Sequence, residues 1–369
     1  MPITNKIKFA NQEKTIHNTT SSSSYILQGT MLDAGHMTPN NEYFVMSWVN
    51  CTSPGADAGA TEWRFENGGG ALLGSENQFH NTNNSGMYVG HIGQFKAPNP
   101  TQNIGIYRKK LTGGVGPEET DYGQCFIIDL SYSGASGQLT SGVDFSTLQV
   151  TTSRTVAKGG IMHDHAVNTA GGASLVFASV RAYDSVDTVV LGLYINDVLV
   201  SSGSRFTQSS SDVKEILFAG AYNIESGQTV KVKNLDDDNA STNYSYSAVF
   251  NLDTGPYAQS TGQMLSWSEY AGSGSWGTKT MDGNAEPSFV VGMGRQVEPG
   301  SESGRPAAIS LKNNTAEEWL IFKNRSSGEF SPLYFPAVNY SQDMGQRETA
   351  VVVGVGTIGN SDEIEMVTL

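Results

Sequence analysis

His163 and His165, with Asp164 between them, are the side chains in this chain best spaced for chemistry. Residues two apart on a strand leave the same face, so the two imidazoles can share one ion. No third or fourth ligand is visible in the sequence. The pair therefore reads either as part of a metal site or as a polar pair at a strand edge or an intersubunit contact. Asp236, Asp237, Asp238 and Asn239 offer oxygens that suit calcium. They lack the alternate spacing and bidentate Glu of a helix-loop-helix calcium site, which leaves a solvated acidic loop as the plainer reading.

Aromatic residues supply the other candidates. Glu62 and Glu66 flank Trp63 and Phe65 in a strand-like run. That run is either a sugar-stacking face or core aromatics alternating with surface acids. Trp267, Tyr270 and Trp276 stand among Ser and Gly, as loop-borne binding aromatics or as packing against a neighbouring domain. Trp63, Trp267 and Trp276 are the ligand-binding candidates. The chain has no G-x-S-x-G, G-x-x-x-x-G-K, H-E-x-x-H or C-x-x-C. Two G-x-G-x-x-G matches, at Gly272, Gly274, Gly277 and at Gly354, Gly356, Gly359, lack the strand-to-helix setting that holds a pyrophosphate, and are expected to be turns. No catalytic residue is assigned and no cofactor is expected.

The elements that would position these residues are strands. Runs such as 43–49, 125–130, 174–182, 189–195, 229–233, 246–252, 289–293 and 350–355 are short, rich in Val, Ile, Phe and Tyr, and bounded by Gly, Asn, Asp, Ser or Pro. No amphipathic helix longer than two turns is evident. Asn196 and Asp197, between two such runs, read as a tight hairpin turn, because both residue types tolerate positive φ. The expected fold class is all-β, made of antiparallel sheets.

Composition excludes several functions. Of 369 residues only 16% are charged, and the net charge is −14. An acidic chain repels phosphate backbones and anionic lipid, and Arg108, Lys109 and Lys110 form its one basic cluster, so neither nucleic acid nor a membrane is an expected partner. The amino-terminal residues carry no apolar stretch like that of a signal peptide, which points to synthesis in a cytoplasm. Cys51 and Cys125 are too few for a disulfide framework and are expected to be free thiols.

Three segments share one rhythm: an opening strand, an aromatic strand, a penultimate strand and a closing strand. The closing strands end at Leu130, Leu252 and Leu369, in near-even steps. The penultimate strands are matched as 103–107, 228–232 and 349–353. Units of this size with seven or more short strands suit β-sandwiches. The expected organisation is an arm over 1–24, then sandwiches over 25–130, 131–252 and 253–369, with Gly-containing polar links near 131–142 and 253–262.

Within the second unit, Leu191-Gly192-Leu193-Tyr194-Ile195-Asn196-Asp197-Val198, followed by Tyr222 to Val232, resembles the tumour-necrosis-factor-like and complement-type globular jelly rolls. Asp197 stands where that pattern has Gly, and Gln228 where it has Asp. Such domains are common in bacteriophage fibres, head decorations and tail appendages. The resemblance implies a virion surface protein made in the host cytoplasm, a capsid decoration or fibre-like appendage. Its partners would be other capsid or tail proteins, further copies of itself, with a homotrimer favoured, and a host-surface glycan. The rival readings are a carbohydrate-binding adhesin and a polysaccharide-degrading enzyme on a β-sandwich.

Overall fold

From Val189 to Ile195 the odd-numbered residues Val189, Leu191, Leu193 and Ile195 are all buried, whereas Val190 and Tyr194 between them are half-exposed. Period-two burial of this kind is what a strand with one face on a core requires. The computed structural model describes residues 7–11, 16–18, 22–52, 59–68, 70–72, 74, 76–80, 86–113, 118–131, 144–183, 187–207, 213–251, 275–280, 286–298, 306–312, 331–334, 346–358 and 363–368. Apart from a single 3-10 turn, Ala34–His36, these residues form strands, turns and connections. The fold is all-β, and every strand pairing among the described residues is antiparallel.

The first group comprises β1 (Ile7–Asn11), β2 (Ile16–Asn18), β3 (Ile26–Leu32), β4 (Glu42–Thr52), β5 (Gly59–Asn67), β6 (Gly70–Ala71), β7 (Glu76–His80), β8 (Gly86–Lys96), β9 (Ile104–Gly113) and β10 (Glu118–Asp129). One sheet has the order β1-β10-β4-β8, with β2 also on β10, and the other β3-β9-β5-β6, with β7 also on β5. Between them lies a core that includes Tyr43, Val45, Val49, Trp63, Phe65, Ile104, Ile106 and Ile127. Two stretches of the segment expected to be an arm, 7–11 and 16–18, thus form the outer edge of this sandwich, with Ile7 opposite Ile128.

The second group is β11 (Phe145–Val150), β12 (Arg154–Val156), β13 (Ile161–Ala166), β14 (Gly172–Tyr183), β15 (Asp187–Ile195), β16 (Val198–Thr207), β17 (Lys214–Ile224), β18 (Thr229–Asn234) and β19 (Ala240–Asn251). Its sheets run β11-β19-β14-β17 and β13-β18-β15-β16. β12 also pairs with β19, and two antiparallel sheets between which the chain crosses at every step except β11 to β12 and β15 to β16 make a jelly roll. The first group has the same order, with β6 and β7 together in the place of β16. The turn between β15 and β16 has Asn196 at φ 48° and Asp197 at φ 64°, the left-handed pair that a primed hairpin turn needs.

The third group is β20 (Ser275–Thr280), β21 (Glu286–Glu298), β22 (Pro306–Lys312), β23 (Ser331–Tyr334), β24 (Gln346–Ile358) and β25 (Glu363–Thr368). Its order β20-β25-β22-β23 repeats β13-β18-β15-β16, and its pair β21-β24 repeats β14-β17. By pairing, β24 and β25 therefore stand where β17 and β18 stand in the second group. The sequence rhythm sets them one strand later, as the penultimate and closing strands. Alternating strands of similar length look alike in sequence, and only their partners tell them apart. Gly277, Gly354 and Gly356, expected in turns, lie within β20 and β24, and the next described element after β24 is a strand and not a helix. Gly272, Gly274 and Gly359 fall outside the described residues.

β4 and β14 are buried on both faces. Tyr43 and Val45 enter the first core and Val176, Ala178 and Val180 the second, while Phe44 and Phe177 point the other way and meet, ring centroids 4.9 Å apart. Phe44 also lies 5.5 Å from Phe126, 6.1 Å from Tyr246 and 5.3 Å from Phe250. The outer faces of the two jelly rolls are thus joined by an aromatic seam, whose tilted and edge-on rings suit the quadrupole of each. Cys125, in the first core, is a free thiol, and burial pushes its pKa up to about 12, against a smaller lowering by hydrogen bonding to Ser47. Iodoacetamide at pH 8 is expected to leave Cys125 untouched in the native protein and to alkylate it after unfolding, as read by peptide mass.

Candidate functional site

The histidine pair sits among serines. An irregularity in the pairing of β13 with β18 separates Ile161 from His163, after which His163 sits opposite Val232 and His165 opposite Val230. Both partners are core residues, so both imidazoles face inward, and both are buried. There they meet serines from the opposing sheet. His163 Nδ1 lies 2.9 Å from Ser245 Oγ and its Nε2 lies 2.7 Å from Ser247 Oγ. His165 Nδ1 lies 2.7 Å from the same Ser247 Oγ, and its Nε2 lies 2.7 Å from Ser146 Oγ. The backbone N–H of Asn168 also donates to Ser146 Oγ, at 3.2 Å.

Five side chains therefore form a continuous line, Ser146, His165, Ser247, His163 and Ser245, running through the second jelly roll. All four ring nitrogens are met by hydroxyl oxygens. Ser247 has one hydrogen to give and stands between two rings, so donation to one leaves it an acceptor toward the other. Burial drives the pKa of His163 down to about 3, helped by the neighbouring His165 and by Arg154, and burial drives His165 down to about 4. At neutral pH both rings are uncharged. A base so weakened takes little of a serine proton near pH 7, and the geometry is that of a satisfied polar network inside an apolar core. No group of three or more His, Cys, Asp or Glu among the described residues comes together in a way that could hold a metal ion.

The other candidates separate. Trp63 and Phe65 are fully buried in the first core, and the alternation of the strand turns Glu62, Arg64 and Glu66 to the opposite face. Trp63 therefore has no ring face for a sugar to stack on. Glu62 pairs with Lys109, and Glu66 with Arg64, whose guanidinium lies 3.5 Å from the centroid of the Tyr25 ring. Replacing Trp63 by Ala is expected to cost about 3–5 kcal/mol by opening a cavity, measurable as a lower urea midpoint. Trp267 lies outside the described residues, and Trp276 is placed only by its backbone, in β20. The basic cluster is split by the same alternation: Arg108 is buried with its guanidinium 5.7 Å from the Trp63 ring, while Lys109 takes the outer face. The acidic loop closes on itself. Asp236 N–H donates to Asn234 Oδ1 at 2.9 Å, Asn234 Nδ2 donates to the Asp238 carbonyl at 2.8 Å, and Asp237 pairs with Lys158.

Sequence reasoning finds the histidines and misses their serines. A signal is present: in Tyr244-Ser245-Tyr246-Ser247, aromatic and hydroxyl residues alternate, one set for each face of β19. Which histidine the serines meet depends on β13 crossing opposite β19, which no local pattern states.

No protein-family model matches the chain, and no curated protein matches it in sequence. Among solved structures, the N-terminal CBM22-1-CBM22-2 tandem domain from Paenibacillus barcinonensis Xyn10C is 9% identical, over 65% of this chain and 92% of its own, with a TM-score of 0.19. A chain from the structure of the Macrobrachium rosenbergii nodavirus is 13% identical, over 66% and 89%, with a TM-score of 0.20. A chain from the triple jelly roll fold and turret assembly in an archaeal virus is 9% identical, over 98% and 89%, with a TM-score of 0.20. The strand order, and not these superpositions, is what makes the first two groups jelly rolls. No helix among the described residues is long and apolar enough to cross a membrane.

Proposed function

We propose that the protein is a structural component of a bacteriophage virion, a capsid decoration or fibre-like appendage that works by protein contact and not by catalysis. The observation that carries this reading is the aromatic seam. It makes the first two jelly rolls one body, with one face of β4 and of β14 spent on its own core and the other on the junction, as a building block needs and a pair of hinged binding modules does not. The histidine network supports the same reading, because its nitrogens are spent on internal hydroxyls. Contact surfaces remain at the ends of the sandwiches: at the β15–β16 hairpin Val198 is 63% and Leu199 48% exposed. Apolar side chains held out on a tight turn suit insertion into a partner.

Light scattering on the purified chain, with and without chelator, followed by mixing with empty candidate capsids, tests the proposal. A chelator-insensitive trimer that binds capsids saturably is the expected result. A monomer that ignores capsids but binds a glycan array would replace the reading with the adhesin, and chelator-sensitive turnover of a polysaccharide would replace it with the enzyme.

A further inference from the structure

β8 is the free edge of its sheet, bonded to β4 on one side only among the described residues. Such an edge leaves backbone donors and acceptors in need of partners, and attracts foreign strands. At Ile92 the partners come from the second jelly roll. The Ile92 N–H donates to Glu215 Oε1 at 3.1 Å, and the Ile92 carbonyl accepts from Ser179 Oγ at 2.9 Å and from the Tyr244 hydroxyl at 3.2 Å. Next to it, His91 Nδ1 lies 3.0 Å from Glu215 Oε2. His91 and Glu215 are each only 1% exposed. Arg181, directly opposite Glu215 in the β14–β17 register, lies against Gly74 of the first group. The approach is so close at Gly93 that a Cβ there would come within 2.6 Å of the Tyr244 hydroxyl and of the His91 ring.

We propose that Glu215 is a latch: its carboxylate grips the edge of the first jelly roll through the Ile92 amide and His91, and so sets the one orientation in which the two jelly rolls can pack. The seam around Phe44 supplies apolar attraction, which has no direction and would tolerate sliding. The latch supplies direction. A carboxylate buried to this extent is costly without partners, and in any shifted arrangement of the two jelly rolls Glu215 loses the Ile92 amide and His91 together. The same contact seals the β8 edge against strand addition. This inference does not depend on the virion reading, since it concerns only how two parts of one chain are joined.

Amide exchange at Ile92, followed by NMR in the full-length deuterated protein, reads the latch directly. In Glu215→Ala the Ile92 amide is expected to exchange about 10- to 100-fold faster, the range for losing a hydrogen bond to a charged acceptor, while the amides that pair β4 with β10 keep their protection. Glu215→Gln retains an acceptor oxygen and is expected to recover most of the protection. Unchanged Ile92 exchange in a folded Glu215→Ala protein overturns the proposal. If that variant does not fold, Glu215→Asp tests the same contact by drawing the carboxylate back by one methylene from the Ile92 N–H; an Ile92 amide as protected there as in the unaltered protein overturns it equally.

Discussion

Phe44→Ala is expected to destabilise the protein by about 3–5 kcal/mol and to uncouple the unfolding of the first two jelly rolls. Phe44 is fully buried yet lies outside either core, so the loss falls on the seam. Four aromatic partners surround it, on both sides of the junction. They cannot all close on a methyl group without moving one jelly roll relative to the other. Calorimetry on the unaltered chain should give one cooperative transition for the two jelly rolls, and on Phe44→Ala two transitions, the lower of them displaced by on the order of 10 °C. Phe44→Leu, which fills more of the space, should lose less. A single transition at an unchanged temperature in Phe44→Ala would remove the seam from any account of how the two jelly rolls act as one.

That seam is partly legible in the amino-acid sequence. Residues 43–49 and 174–182 are apolar or small almost without interruption, where a strand with one wet face would alternate. A continuous run is the mark of a strand buried on both sides. What the sequence does not carry is the identity of the second surface, because a Phe that packs on its own core and a Phe that packs on a neighbour are the same residue in the same period. Trp63 shows the converse. Its flanking acids invite a binding-face reading, and strand alternation alone separates them, Glu62 and Glu66 to one face and Trp63 and Phe65 to the other. The hairpin at Asn196 and Asp197 is readable outright, since it rests on the φ preference of two adjacent residues. The placing of β24 and β25 is not, since it rests on pairings far apart in sequence. The Glu215 contact lies at the same limit: His91 and Glu215 are distant in the chain, and neither stands in a motif.

Acid should weaken the second jelly roll before it touches most carboxylates. His163 and His165 are neutral in the fold, with pKa values of about 3 and about 4, and in the unfolded chain each returns to about 6.5. Between those limits the unfolded state binds more protons than the folded one, so stability rises with pH and is lost as pH falls below about 6.5. At pH 5 the linkage amounts to roughly 2 kcal/mol for each histidine, a large share of the 5–15 kcal/mol that typically holds a domain. The two sites reinforce the loss, because a proton on His165 repels one on His163. Urea midpoints from pH 8 to pH 5 should fall steeply for the unaltered protein and less steeply for His163→Gln/His165→Gln, and the difference between the two curves isolates this pair from the other four histidines. Ser247→Ala makes a separate point. It leaves both rings without their shared hydroxyl, should cost about 1–3 kcal/mol at pH 8, and should keep the pH slope, because the buried imidazoles remain. Parallel curves for the unaltered protein and the double histidine variant would mean that these rings already reach water in the fold, and the line of five side chains from Ser146 to Ser245 would then have to be open at its Ser146 end.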